Sequence, residues 1–189
     1  MCAIRVACQT YTWEMLAKDW QGKVTDILDW ISDSGYAGIE ITHNMIAEFY
    51  DRPKDFADEL SKRNLELSAF AYSTPTGWTD SDLWGEYISG AIKALSFLNH
   101  FPNPRLALGG VSNPSRENSF AKLDIAIKFY NKVGQMAYPS GISVNVHPHS
   151  HHGSLLESAD EYKYLLDRLD PIYVSFGPDT GHIVRGGQD

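Results

Sequence analysis

Two short apolar runs in this sequence end in side chains that can bind a metal. Gly141-Ile-Ser-Val-Asn-Val leads into His147-Pro-His149-Ser-His151-His152, and Val174-Ser-Phe-Gly-Pro leads into Asp179-Thr-Gly-His182. Imidazole and carboxylate are the mixed ligands of Mn²⁺, Co²⁺, Zn²⁺ and, with more oxygen, Mg²⁺. In a parallel α/β barrel the strand ends meet at one mouth, so neighbouring strands can deliver such ligands to one ion. Either cluster alone has an ordinary explanation: histidines beside Pro and Gly are often solvated loop residues, and Asp-Thr-Gly is a common turn. Two strand-terminal clusters separated by one helical segment arise by chance far less often. His151 and His152 read better as solvated loop and are left outside the site.

The rest of the chain alternates strand and helix. Residues 3 to 9, 37 to 43, 65 to 72 and 105 to 110 are β-prone, and runs leading to His147 and starting at Val174 add a fifth and a sixth strand. Between them, apolar spacing or end signals predict helices over 24–34, 53–64, about 80–101, 115–137 and 157–169. Ile88, Ala91, Ile92, Leu95 and Leu98 mark the expected inner face of one helix, and Leu165, Leu166 and Leu169 that of another. This order implies parallel strands with right-handed crossovers. The segment after the first strand, Gln9-Thr-Tyr-Thr-Trp-Glu-Met, lacks the glycine-rich phosphate loop of a doubly wound nucleotide fold. The expected fold is therefore α/β, a TIM-type barrel of about six β-α units, with residues 1–189 as one domain.

Composition narrows the function. The chain has 189 residues, is 43% hydrophobic and carries a formal net charge of −8 without a basic cluster, which argues against nucleic-acid or anionic-membrane partners. With neither a signal peptide nor a membrane-length apolar run, a cytoplasmic protein is expected. Cys2 and Cys8 would lie roughly 20 Å apart on one extended strand, beyond disulfide reach.

The segments Gly35-Tyr-Ala-Gly-Ile-Glu40, His147-Pro-His149 and Asp179-Thr-Gly-His182 together resemble the xylose isomerase-like superfamily of sugar isomerases, epimerases and inosose dehydratases. That resemblance implies a TIM barrel with a divalent metal at its C-terminal mouth. It places the strand-five ligand on His147 or His149, where the family often has Glu, and the strand-six ligand on Asp179. His182 falls where the family contacts substrate or orients the metal shell, and Glu40 on the acidic residue of the second strand. Family members continue through two further β-α units, which normally supply a His and a Glu ligand. The chain is thus expected to be a fragment of a longer polypeptide, or to have its open edges and apolar interior covered by another chain or by self-association.

The expected activity is metal-dependent isomerisation, epimerisation or dehydration of a sugar, keto-sugar or polyol, with Glu40 and His182 as catalytic candidates. Trp13, Tyr72 and Trp78 lie in or beside loops where an aromatic face could stack on a sugar ring, although packing of the loops explains them equally well. For Glu40 the rival is a buried carboxylate hydrogen-bonded to a neighbouring strand. The competing functions are a non-catalytic metal- or sugar-binding remnant and, disfavoured by charge, an apurinic-site endonuclease.

Overall fold

The computed structural model describes residues 4–16, 20–110, 113–149 and 153–188. Six parallel strands, β1 (Ala7–Gln9), β2 (Gly38–Thr42), β3 (Glu66–Tyr72), β4 (Arg105–Gly109), β5 (Ser143–His147) and β6 (Val174–Phe176), pair in chain order. Among the described residues β6 does not return to β1, so the sheet is an unclosed arc of a barrel. Helices α1 (Tyr11–Leu16), α2 (Val24–Asp33), α3 (Pro53–Lys62), α4 (Trp84–Leu98), α5 (Ser119–Ala137), α6 (Ala159–Leu166) and α7 (Thr180–Arg185) alternate with the strands.

Local chemistry accounts for these boundaries. α2 buries Val24, Ile27, Leu28 and Ile31, one stripe at helical spacing, and ends where Gly35 takes a φ of +80°. α3 opens on Pro53, whose missing N–H costs nothing in a first turn, and stops before the left-handed Asn64. Ser158 and Glu161 close a reciprocal capping box at the start of α6.

Several expectations need correction. Of the strand expected over 3–9, β1 covers residues 7–9 and residues 4–6 lie outside it, while Ala3 lies outside the described residues. The helix expected from residue 80 begins as a 3-10 turn, Ser81–Leu83, capped by the Asp80 carboxylate, before α4 proper. α5 starts at Ser119 rather than 115, because Arg116 and Asn118 adopt positive φ and turn the chain just before it. Ile92 is 53% exposed, since α4 buries the stripe through Tyr87, Ala91, Ala94 and Leu98. Leu166 is 49% exposed while Leu165 and Leu169 point inward.

The expected apolar barrel interior is also absent. Strand side chains alternate between two faces, and here the apolar set, Ile39, Ile41, Phe70, Leu106, Leu108, Val144, Val146 and Val174, is buried on the helix side. The other set, Gln9, Glu40, Thr42, Ala71, Ala107, Asn145, His147 and Ser175, is small or polar. The open arc therefore presents a concave face of small and polar strand side chains rather than large aliphatic ones. The large buried hydrophobic side chains of these strands lie in the layer between sheet and helices.

Trp78 belongs to that layer. It is fully buried, stacks on Phe129 of α5 with ring centroids 4.3 Å apart, and donates its indole N–H to the Gly109 carbonyl at 3.0 Å. A tryptophan spent in this way cannot present its face to a sugar. Gly134 of α5 marks another tight contact, for a Cβ there would lie 2.7 Å from the Tyr173 carbonyl oxygen and 2.6 Å from Val174 Cγ2.

Trp78→Phe should lower unfolding free energy by about 1–3 kcal/mol, by leaving a small void and an unpaired buried carbonyl. Urea denaturation measures it, and an unchanged midpoint would remove Trp78 from the core. Gly134→Ala should also destabilise, because overpacking at about 1–3 kcal/mol outweighs the roughly 1 kcal/mol helix-propensity gain. A raised denaturation midpoint would show that α5 does not press on β6 at this point.

Candidate functional site

A cavity of about 500 Å³ opens at the C-terminal ends of the strands, lined by one or more residues from β1 through β5 and by α1 and α7. Its walls are the inward set of the strand alternation, extended by the loops and by α1 and α7. His147 closes β5 beside Gly109 of β4 and points into the cavity. His149 lies two residues further on, against Gly110, where a Cβ would come within 2.5 Å of its Nδ1. Glycine at 110 is thus a condition for His149 to occupy this place.

Asp179 follows β6 and caps α7, accepting the His182 backbone N–H at 2.9 Å through Oδ1. The same cap sets His182 over the cavity. Oδ2 of Asp179 lies 3.7 Å from His147 Nε2. Ring centroids are separated by 5.1 Å for His147 and His149, 4.9 Å for His149 and His182, and 6.4 Å for His147 and His182. The structure therefore gathers all four residues singled out at the two strand ends. His151 and His152 lie outside the described residues.

Partial burial of the Asp179 carboxyl works to raise its pKa. The amide N–H of His182, the His182 and His147 rings and the Gly181 amide outweigh that effect and hold it below the usual carboxylate value. Asp179 is therefore an anion at neutral pH. In type, imidazoles with one carboxylate on adjacent strand ends fit a divalent metal. As the side chains stand, no three His, Cys, Asp or Glu among the described residues are arranged to hold one ion.

Residues 153–155, further along from His149, are tied to residues that follow β4. Arg116, after β4, donates to the carbonyls of Ser154 and Leu155 and to Glu161 Oε1, the last at 2.6 Å. The Asn113 amide donates to the Gly153 carbonyl at 2.7 Å, and Lys122 holds the Asn113 side chain at 2.6 Å.

On the β1–β2 side of the cavity, Glu40 accepts a hydrogen bond from the Gln9 side chain at 2.9 Å through Oε1. The neighbouring-strand bond anticipated for Glu40 thus exists, and Glu40 still lines the cavity. Glu14 of α1 accepts from Thr42 Oγ1 at 2.6 Å and Asn44 Nδ2 at 2.7 Å, which latches α1 to the turn after β2.

The aromatic candidates fare differently. Trp13 stacks on Trp30 at 6.3 Å and is not on the cavity wall. Tyr72 is among the lining residues, but its ring is buried against His43 and Trp78 and its hydroxyl abuts Gly90 of α4. Trp78 lies in the core. The large side chains that do reach the wall are Tyr11 and Met15 of α1, with Gln9, Glu14, Thr42, Ser73 and Arg185 as further polar lining. Gln9 and Thr42 were accessible from strand alternation around Glu40. Glu14 and Arg185 sit on short helices with no strong periodic signal.

A profile of the family described as xylose isomerase-like TIM barrel matches residues 28–189. The inosose dehydratase of Mesomycoplasma hyopneumoniae strain J is 26% identical over 169 residues, covering 84% of this chain and 53% of that protein. The chain thus spans about half the length of that curated relative. A crystal structure of the IOLI protein with a bound zinc atom superposes with a TM-score of 0.80 at 11% identity, over 98% of this chain and 66% of that one. D-psicose 3-epimerase of Clostridium cellulolyticum, solved with D-tagatose, gives a TM-score of 0.73 at 11% identity, over 97% and 70%. With the parallel strands, the unclosed arc and the profile match over most of its length, the chain belongs to the xylose isomerase-like TIM barrel family.

Proposed function

We propose that this chain carries the larger part of an active site that isomerises, epimerises or dehydrates a sugar, keto-sugar or polyol with the help of a divalent metal. The observation that carries this reading is one cavity with an imidazole and carboxylate cluster on its β5–β6 side and the Glu40 carboxylate on its β1–β2 side. The inosose dehydratase relative supports a polyol-derived ketone as substrate.

His147, His149 and Asp179 would hold the metal after modest side-chain rotation, since no trio converges as they stand. Mn²⁺, Co²⁺, Zn²⁺ and Mg²⁺ all remain compatible with this donor chemistry. When bound, the ion would act as a Lewis acid toward substrate oxygens. Glu40 accepts the proton from the carbon next to the carbonyl, and the Gln9 amide holds one of its oxygens in place. His182, positioned by the Asp179 cap, faces a substrate hydroxyl. Ligands from further β-α units would complete the shell. A non-catalytic metal- or sugar-binding role draws support from the unclosed donor set, and the same experiment separates the two.

The test is solvent-deuterium exchange at the carbon next to the carbonyl of scyllo-inosose and D-tagatose, followed by NMR in the presence of Mn²⁺. Exchange is expected with the chain as it stands or with added C-terminal β-α units, and Glu40→Gln should slow it by roughly 10²–10⁴-fold. Binding of either compound without exchange would favour the non-catalytic role. Exchange that Glu40→Gln leaves intact would remove Glu40 as the base.

A further inference from the structure

We propose that Arg185 forms an anion subsite in the cavity, so that the preferred substrate is a sugar or polyol bearing a carboxylate or phosphate group. This inference rests on the catalytic cavity argued above and specifies its substrate class.

Arg185 lines the cavity together with Asp179, His182 and His149. It stands three residues after His182 on α7, and residues so spaced share one helix face. Its position is therefore on the imidazole side of the cavity.

The charges around it are already engaged. Glu14 has both oxygens bonded, by Thr42 and Asn44. Glu40 is bonded by Gln9, and Asp179 by the His182 amide with His147 beside it. Among the described residues the Arg185 side chain makes no hydrogen bond or ion pair, whereas Arg5, Arg52, Arg63 and Arg116 each pair with a carboxylate. A chain of net charge −8 thus leaves an unpaired guanidinium at the cavity wall.

A guanidinium recognises carboxylate and phosphate alike, through paired N–H donors. Glu14 and Glu40 repel an anion from the β1–β2 side. An anionic group would therefore settle at Arg185 and turn the neutral hydroxyl-bearing carbons toward Glu40, which fixes the direction in which the substrate lies. The alternative role, a cation near the C-terminal end of a helix, would appear in stability and not in ligand choice.

The test is isothermal calorimetry on the 189-residue chain at low salt with matched probes, D-fructose 6-phosphate against D-fructose and D-glucuronate against D-glucose. At least one anionic probe should bind about tenfold or more tighter than its neutral partner. Arg185→Met should abolish that preference without weakening the neutral sugars, and Arg185→Lys should keep part of it. The pair that shows the preference identifies phosphate or carboxylate as the group. No anionic preference, a preference that Arg185→Met leaves intact, or equal weakening of all four probes would overturn the subsite. An Arg185-dependent preference in a chain that never exchanges deuterium would instead overturn the catalytic reading and leave the subsite standing.

Discussion

The structure depends on one constraint, the two-residue alternation of side chains along parallel strands. Each strand must send apolar residues to the helices on one face and acceptable groups into the concavity on the other. Ile39 and Ile41 go beneath the helices while Glu40 and Thr42 face the cavity, and Val144 and Val146 are buried while Asn145 and His147 are not. A one-residue slip in any strand would exchange the two sets. Glu40 and His147 would then enter the apolar layer, and the cavity would lose both of its chemical poles. Stability and site geometry are thus decided by the same register.

Loops and caps add what the strands cannot supply. The Asp179 carboxylate, just past β6, starts α7, and that turn brings His182 and Arg185 to the cavity. Arg116, after β4, binds Glu161 and the carbonyls of Ser154 and Leu155, joining that residue to the start of α6 and the turn before it. Trp78 joins the end of β4 to α5 from beneath, through the Gly109 carbonyl and Phe129. A concave face without large aliphatic strand side chains lets these groups meet water in an unclosed sheet. Apolar side chains remain exposed near both outer strands, Ile4 and Val6 by β1 and Ile172 and Leu166 by β6.

The legible part of the sequence was what repeats or what punctuates. Strand order and helix stripes followed from periodicity, and the grouping of His147, His149, Asp179 and His182 followed from their common position at strand ends. Trp78 was misleading because a loop tryptophan beside Pro and Gly reads alike whether it stacks on a ligand or on Phe129, and only tertiary packing decides. The small and polar residues of the concave face were hidden since short strands such as Val-Asn-Val-His147 appear as apolar runs until their two faces are separated. Asp179 read as a turn and a ligand, while its capping of α7 depends on a six-residue helix too short to show a pattern. Arg185 and Glu14 carry their meaning only through neighbours distant in sequence.

The central claim is that the residues gathered at the ends of β5 and β6 form a metal site, and divalent-metal titration of the purified chain tests it most directly. Calorimetry with Zn²⁺ and Mn²⁺ should give one site per chain, and Asp179→Asn, which preserves the helix cap while removing the charge, should weaken it by tenfold or more with an unchanged circular dichroism spectrum. Absence of a stoichiometric site, or an affinity that Asp179→Asn leaves unaltered, would contradict the account.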